Sequence, residues 1–234
     1  MISILHKIWR NKWILRYLPH SVFFNFKHLP LHQAVKLPIW LYKPKFIVLK
    51  GEIKIDYKNI KSGIIRLGQN LVSIYPNTGI HLEIMGAITF KGRCNIGNSS
   101  YMSVGKNGNI TFGDNFTSLT SLKIVSYENI IFGNNNRIGW NCMICDTDFH
   151  ATINTQTHEI YPKQAPIILG DNVWVANNCT INKGCVLPPY TIVASHSLIN
   201  KDYSSIPPYC LLAGTPAKLK KENIGRAEWF GYQI

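Results

Sequence analysis

A six-residue repeat dominates the second half of this 234-residue chain. Every sixth position from 169 to 199 is aliphatic, and the residue four positions after each is mostly small. The aliphatic positions are Leu169, Val175, Ile181, Leu187, Val193 and Ile199. Neither a helical period nor simple alternation reproduces this phase, which is typical of a parallel β-helix with three hexads per coil. The sequence therefore predicts a mainly β fold whose aliphatic side chains stack into an inner column.

The repeat continues toward the N-terminus with less regularity. Phe132, Ile138 and Ile96 are each followed by glycine, as the pattern requires, and the phase slips between 102 and 112. We expect irregular coils or a small insertion at that point. A generic β-rich domain with glycine turns is the alternative, chiefly for residues 50–125.

An interruption of the repeat predicts a functional loop. The step from Ile144 to Leu169 is 25 residues, which is not a multiple of six, and the stretch 146–166 has few apolar residues at repeat positions. Long loops on a rigid scaffold commonly carry function. The predicted segments are a basic, partly helical segment over 1–50, a β-helix over 51–212 with an inserted catalytic loop at 146–166, and a short C-terminal tail over 213–234.

Positive charge is concentrated at the N-terminus. The chain has a formal net charge of +13, and residues 1–50 hold nine Lys or Arg residues and no acid. Large aromatic residues are interleaved with these charges: Trp9, Trp13, Phe23, Phe24, Phe26, Trp40 and Tyr42. The segment suits either a cap over the open end of the prism or a docking surface for an anionic membrane or a phosphorylated substrate. No recognised nucleic-acid-binding module is present, so no nucleic acid partner is predicted.

Neither a membrane span nor a secretory signal is expected. No run of 18 uncharged apolar residues occurs, and the basic residues Lys7, Arg10, Lys12 and Arg16 interrupt the N-terminal segment.

The cysteines predict a reducing compartment. Cys142, Cys179 and Cys185 occupy small inner positions of the repeat, where buried free thiols are expected. Cys142 and Cys145 have a ligand-like spacing, but no second pair follows, so no metal site is predicted. The expected location is cytoplasmic, and the basic segment leaves open a peripheral contact with the inner face of the membrane.

Three stretches carry a family resemblance: Ile168–Val175, Cys179–Gly184 and Ala213–Lys218. They resemble the C-terminal half of the hexapeptide-repeat acyltransferases and are most similar to the O-acetyltransferases that modify bacterial surface polysaccharides. The run Phe24–Phe26 with the prolines that follow it also resembles N-terminal regions of capsule-type members. The resemblance implies a left-handed β-helix, a homotrimer with active sites between neighbouring prisms, and acetyl-CoA as the acyl donor.

The predicted loop supplies a candidate general base. Acetyl transfer to a sugar hydroxyl needs a group that removes the proton as oxygen attacks the thioester, and histidine titrates near neutrality. His150 resembles the family's catalytic histidine. Asp146 or Asp148 is expected to orient it, with capping of the loop as the alternative role for either carboxylate. Asn141 resembles a family asparagine that helps to place the acceptor.

The acyl donor is expected to bind near the C-terminus. The candidate donor-binding residues are Trp174, Ala194, Ser195, Thr215, Lys218 and Lys220. Ala194 and Ser195 match a turn of the family, and the two lysines offer point charges to phosphates, unless they are simply solvated. Trp174 and Trp140 fall on outward positions, where packing against a neighbouring prism or the donor would explain them. Ala176 and Asn177 depart from the family's usual Gly-Ala, which bears on acyl-chain length.

The predicted function is acetyl-CoA-dependent O-acetylation of a sugar hydroxyl in a bacterial surface polysaccharide or its precursor. N-acetylation of an amino sugar is the nearest alternative, and a non-catalytic β-helix that binds a carbohydrate is a second. A metal-dependent hydratase would need three convergent histidines. His150 has no two well-phased companions, since His158 is read as a surface residue and His196 as a turn residue.

Overall fold

Parallel strands stack into three faces of a prism in the computed structural model, which describes residues 12–72 and 76–232. Side chains are described from Leu15 onward, so Lys7, Trp9, Arg10 and the side chain of Trp13 lie outside the described residues. Each coil contributes one strand to each face, and consecutive strands of a face come from consecutive coils. The predicted parallel β-helix is confirmed.

The elements are numbered in chain order. Two helices precede the strands: α1 (Lys12–His28) and α2 (Leu31–Ala34). The first face contains β1 (Ile39–Leu41), β4 (Ile65–Gln69), β7 (Cys94–Gly97), β10 (Phe116–Ser118), β13 (Arg137–Ile138), β18 (Trp174–Val175), β21 (Thr191–Val193), β23 (Cys210–Gly214) and β24 (Ala217–Lys221). The second face contains β2 (Pro44–Leu49), β5 (Ile80–Ile84), β8 (Ser100–Val104), β11 (Lys123–Ser126), β14 (Met143–Cys145), β19 (Thr180–Asn182) and β22 (Leu198–Ile199). The third face contains β3 (Glu52–Ile55), β6 (Ala87–Phe90), β9 (Asn109–Phe112), β12 (Asn129–Phe132), β17 (Ile167–Leu169) and β20 (Val186–Leu187). A separate hairpin is formed by β15 (Thr152–Ile153) and β16 (Ile160–Tyr161), and a 3₁₀ helix spans Ala227–Phe230.

The inner columns follow the hexad phase. All six aliphatic positions of the repeat between 169 and 199 are buried. In the preceding coils, Phe90, Phe112 and Phe132 stack with ring centroids 5.3 and 5.2 Å apart, and Phe116 packs edge-on against Phe112. Because in-register parallel strands bring identical positions together, the same residue type repeats along each column.

Three corners join the faces. Corner A links the first face to the second, corner B the second to the third, and corner C the third to the first. At corner C, Asp and Asn side chains bind the backbone of the coil below. Asp171 Oδ1 accepts from the Asn134 N–H at 2.6 Å, and Asn134 Oδ1 accepts from the Asp114 N–H at 2.8 Å. The phase slip predicted between 102 and 112 corresponds to the turn 105–108 at corner B.

Helix α1 covers the open N-terminal end of the prism. The Asn25 side chain is fully buried, donates to the Ile39 carbonyl at 2.7 Å and accepts from the Ile39 N–H at 3.1 Å. Ser21 Oγ accepts from the Leu41 N–H at 3.0 Å, and Phe24 is buried beside them. These side chains replace the missing strand beyond β1, which is one way to protect a sheet edge.

The β-helix begins before the predicted boundary at residue 50. Strands β1 and β2 already belong to the first coil and lie within the segment assigned to the cap. Their hexad signal is hidden because the first coils have long corners. Within residues 12–72 and 76–232, no helix combines the length and apolarity needed to span a bilayer.

Candidate active site

The inserted stretch 146–166 leaves the prism at corner B and is anchored at both of its ends. Thr147 and Gln164 form an antiparallel bridge, and the Asp148 N–H donates to the Lys163 carbonyl at 2.8 Å. Beyond this base, the hairpin β15–β16 extends into solvent. We call residues 146–166 the arm. The predicted loop is therefore a short, tied β-hairpin.

His150 lies at the base of the arm, between the anchored residues and the hairpin. Its side chain is exposed, and none of the described residues hydrogen-bonds to its ring. The neighbouring Phe149 packs edge-on against Tyr127 with ring centroids 5.4 Å apart, and its N–H donates to Thr147 Oγ1 at 2.9 Å. The backbone that carries His150 is thus fixed while the imidazole remains open to a substrate.

Asp146 caps the coil below it. Its carboxylate is fully buried and accepts from Ser126 Oγ at 2.9 Å, the Tyr127 N–H at 2.7 Å and the Glu128 N–H at 3.0 Å. Because both carboxylate oxygens accept hydrogen bonds from the coil below, Asp146 has the contacts of the capping role that the sequence left open.

Asp148 also has a partner other than His150. Its carboxylate lies 2.7 Å from Lys183 Nζ, and the same ammonium group donates to the Pro162 carbonyl. Lys183 belongs to corner B of the next coil, so it joins both sides of the arm to the prism. The Asp148 carboxylate, two residues before His150 in the arm, is therefore directed to Lys183.

A polar column follows corner A. Asn141 Nδ2 donates to Asn178 Oδ1 at 2.8 Å, and Asn178 Nδ2 lies 3.2 Å from His196 Nε2. The carbonyl of His196 in turn accepts from Thr215 Oγ1 at 3.2 Å. Asn141, Asn178 and His196 all have positive φ, a conformation in which asparagine is favoured over most other residues. The column presents an unbroken polar edge over four successive coils.

The candidate donor-binding residues gather at this same corner. Ser195 and Thr215 are exposed, and Ala194 is half-buried. The backbone N–H of Ala194 donates to the Leu212 carbonyl at 2.9 Å. Lys218 and Lys220 are exposed on β24, where a register shift in the pairing with β23 places Lys220 at a β-bulge. Asn141, Ala194, Ser195 and Thr215 lie along corner A, and the two lysines lie on the strand that follows it.

His150 stands apart from this group within one chain. The arm leaves corner B, whereas the donor and acceptor candidates lie along corner A, on the opposite edge of the second face. The sites predicted from sequence are thus divided between two edges of the prism.

Trp174 already has a partner in its own chain. The Arg226 guanidinium lies 5.1 Å above the indole, and Arg226 forms an ion pair with Glu228 at 2.8 Å. Its outward position therefore does not by itself require a neighbouring prism. Trp140 is half-buried, and its backbone N–H donates to Asn177 Oδ1 at 3.1 Å. Asn177, which departs from the family pattern, therefore binds the backbone of the preceding coil.

All six cysteines are free and buried, which agrees with the prediction made for Cys142, Cys179 and Cys185. Burial raises the pKa of Cys185, which keeps this thiol protonated. Cys142 and Cys179 donate to backbone carbonyls within corner A, at 3.2 and 3.1 Å. Over residues 12–72 and 76–232, no cluster of three or more His, Cys, Asp or Glu side chains has the arrangement of a metal site.

The sequence did not single out Lys183 or Asn178, and it did not indicate that His196 contacts Asn178. Asn178 and His196 are separated by 18 residues, which is one uninterrupted coil, so the repeat itself could have paired them. Lys183 carried no such signal because its partner, Asp148, lies in the arm, outside the repeat.

Comparison with known proteins finds relatives along most of the chain. No family model matches it. An uncharacterized 24.8 kDa protein in the cps region of Klebsiella pneumoniae is 30% identical over 189 residues, covering 79% of this chain and 82% of that protein. The galactoside O-acetyltransferase of Escherichia coli K12 is 30% identical over 123 residues, covering 52% of this chain and 57% of that enzyme.

Solved structures of similar proteins are also found. A polySia-specific acetyltransferase, NeuO, is 20% identical, with 79% of this chain and 88% of that chain covered and a TM-score of 0.45. The hexads, the coiled parallel sheets and the sequence relatives agree, and the chain belongs to the hexapeptide-repeat acyltransferases, the left-handed β-helix family that its motifs resemble.

Proposed function

We propose that the protein is an acetyl-CoA-dependent O-acetyltransferase that acts on a sugar hydroxyl of a bacterial surface polysaccharide or its precursor. Membership of the family supports acyl transfer, and the relatives from a cps region and from galactoside O-acetylation favour a carbohydrate acceptor. The observation that carries the proposal is an exposed His150 on an anchored arm, in a chain whose corner A presents a polar edge for donor and acceptor.

His150 acts as the general base. The acceptor oxygen attacks the thioester carbonyl while the imidazole takes the hydroxyl proton, the carbon–sulfur bond then breaks, and the proton passes to the departing thiolate. Lys183 and Asp148 hold the arm in place during this exchange, and Asn141 positions the acceptor. Ser195, Thr215, Lys218 and Lys220 bind the donor at its amide-rich arm and phosphates, and the two exposed lysines of β24 supply charge.

The enzyme works as a homotrimer in which corner B of one protomer meets corner A of the next. The division of His150 and the donor candidates between two edges of the prism supports a shared site. Exposed apolar side chains support contact at the second face and on the arm, namely Ile47, Tyr101, Met143, Ile153, Ile160 and Tyr161. Such a strip is a typical protein–protein contact surface. Light scattering should give three times the monomer mass; a fully active monomer would contradict the shared site.

The enzyme works in the cytoplasm, and α1 makes peripheral contact with the anionic inner face of the membrane. Leu15, Phe23 and Phe26 are about half exposed on the side of α1 opposite its buried Phe24. Nearby Lys and Arg residues would add about 1 kcal/mol each at an anionic surface. Full-length protein should sediment with anionic vesicles and release as salt rises. Equal binding to neutral vesicles would leave α1 as a cap only.

The activity is tested by mass analysis of products formed from acetyl-CoA with hydroxyl and amino acceptors. His150→Ala should lower turnover by about 10²- to 10⁴-fold and leave donor affinity nearly unchanged. His158→Ala is the matched control, because His158 is also exposed on the arm but lies at the turn of the hairpin. Near-normal turnover of the His150 variant would remove it from the mechanism, and preference for an amine would favour N-acetylation.

A further inference from the structure

A cleft opens on the first face near the N-terminal end of the prism, far along the chain from the arm. The segment 56–64 forms one wall and strands β4, β7 and β10 form the other, enclosing about 740 Å³. Gly63 holds this wall in place: its φ is +66°, and a Cβ there would lie 2.6 Å from the Trp40 ring. Arg66 Nε donates to the Gly63 carbonyl at 3.0 Å, and Trp40 Nε1 donates to Ser62 Oγ at 3.2 Å. These contacts therefore fix the position of the segment 56–64 against the sheet.

The lining of this first-face cleft is cationic. Among the described residues that line it, Lys61, Arg66 and Arg93 are positive and none is acidic. Arg93 forms an ion pair with Asp114 through Nε, at 3.6 Å, and its two terminal nitrogens have no acceptor among the described residues. Arginine presents a planar fork that matches carboxylate and phosphate oxygens.

Positive charge continues from the cleft along the first face. The strand register aligns Arg66, Asn95, Thr117, Arg137 and Trp174 on successive coils. At about 4.8 Å per coil, Arg66 and Arg137 are roughly 14 Å apart. This outward track therefore carries two cations, Arg66 and Arg137, with the neutral polar residues Asn95 and Thr117 between them.

The far end of this track is charged by the C-terminal tail. Arg226 lies over Trp174 at 5.1 Å, beside Arg137. Burial and the positive charges of Arg226 and Arg93 lower the pKa of Arg137. Glu228 pairs with Arg226 and partly offsets this positive charge, so the tail leaves Arg137 as the principal cation at this end of the track.

The cleft also offers partners for hydroxyl groups. Asn95 Oδ1 is buried and has no hydrogen-bond donor among the described residues. The rest of the Asn95 side chain is part of the cleft lining and adds a polar group to it. Ser62 and Thr117 add hydroxyls to the same lining. Fully ionised phosphates lack such donors, whereas an acidic sugar carries both hydroxyls and a carboxylate.

We propose that the first-face cleft and the cationic track beyond it bind an acidic polysaccharide at a site separate from the arm. The inference rests on the proposed function for the class of acceptor, and it adds that the acceptor bears negative charge. The site anchors a stretch of the chain remote from the hydroxyl that is acetylated. Lys218 and Lys220, the candidates for the donor phosphates, lie at the other end of the prism, so the two anionic ligands do not compete.

Binding without any acyl donor tests the site independently of catalysis. Oligogalacturonate is the probe, and its methyl ester is the matched neutral ligand. Wild-type protein should bind the acid at least about 10-fold more tightly than the ester, with affinity falling as salt rises. His150→Ala should bind equally well, so loss of acetyl transfer and loss of this site are distinguishable.

Variants at exposed positions locate the binding. Arg93→Gln should weaken binding about 5- to 10-fold, Lys61→Gln should add to this loss, and Arg93→Lys should recover only part of it, because the fork is absent. Lys54→Gln, an equal charge change on the third face, should alter affinity less than about 2-fold. Equal losses for Lys54→Gln and Arg93→Gln would overturn the site. So would displacement of the probe by coenzyme A, or tighter Arg93-dependent binding of single-stranded DNA.

Discussion

Asp146 and Asp148 should respond to substitution in opposite ways. Asp146→Ala leaves the Tyr127 and Glu128 N–H groups without the acceptor that they have at 2.7 and 3.0 Å. Each buried donor left unsatisfied costs about 1–3 kcal/mol, so the expected loss of unfolding free energy is about 4 kcal/mol. For a chain of this size, about 2–4 °C of Tm accompanies each kcal/mol, which predicts a fall of about 8–16 °C.

Milder substitutions separate structure from chemistry. Asp146→Asn keeps one acceptor oxygen and should lose about half as much stability. Asp148→Asn breaks an ion pair whose carboxylate side chain is 52% exposed, and such pairs are worth at most about 1 kcal/mol. Its Tm should change by less than about 4 °C, while turnover falls because the arm is no longer tied to Lys183.

The assay is thermal unfolding by circular dichroism, paired with kcat on the same preparations. The Ser126→Ala variant removes a third donor to Asp146 and serves as the control for partial loss of the cap. If Asp146→Asn kept the wild-type Tm and lost turnover selectively, the carboxylate would be acting on His150 and the assignment of a capping role would fail.

Three further outcomes are expected. Phe112→Ala, at the centre of the aromatic stack, should lower the unfolding free energy by about 3–5 kcal/mol in a denaturant titration; a loss below about 1 kcal/mol would contradict its full burial. Lys183→Ala should reduce kcat by about 10- to 100-fold with little change in Tm, and an unchanged kcat would separate the tie from catalysis. Burial, with a smaller contribution from Lys27, lowers the pKa of His28 below 6.5, so the unfolded chain binds more protons, and stability should fall as pH drops below 6.5. His28→Gln should flatten that dependence, and an unaltered pH profile would show that His28 does not cause it.

The sequence predicted the C-terminal coils because their phase is uninterrupted. Leu169 stacks on Leu187 and Ile181 stacks on Ile199, one coil apart, as the hexads required. The N-terminal coils were harder to delimit, because the turn 105–108 adds residues that no repeat position accounts for. The start of the β-helix at Ile39 was missed because the first coils have long corners, such as the segment between β3 and β4.

The sequence supplied candidate residues for the site, but it did not supply most of their contacts. The hexads place Asn178 one coil below His196, yet they give no information on Lys183 and Asp148, whose contact depends on the path of the arm. The role of Asp146 is likewise set by N–H groups at Tyr127 and Glu128, which come from the preceding coil. Contacts between coils follow from the repeat, whereas contacts with an insertion require the structure.

The way the arm is attached has an evolutionary consequence. Its two ends are bridged at Thr147 and Gln164, and the strands before and after it continue their faces in register with the coils below. The hairpin residues 152–161 can therefore lengthen, shorten or be exchanged without disturbing the inner columns or the bridged base that carries His150, since closing a longer loop costs little additional entropy. A lineage of such proteins can thus vary this hairpin while the prism is inherited unchanged.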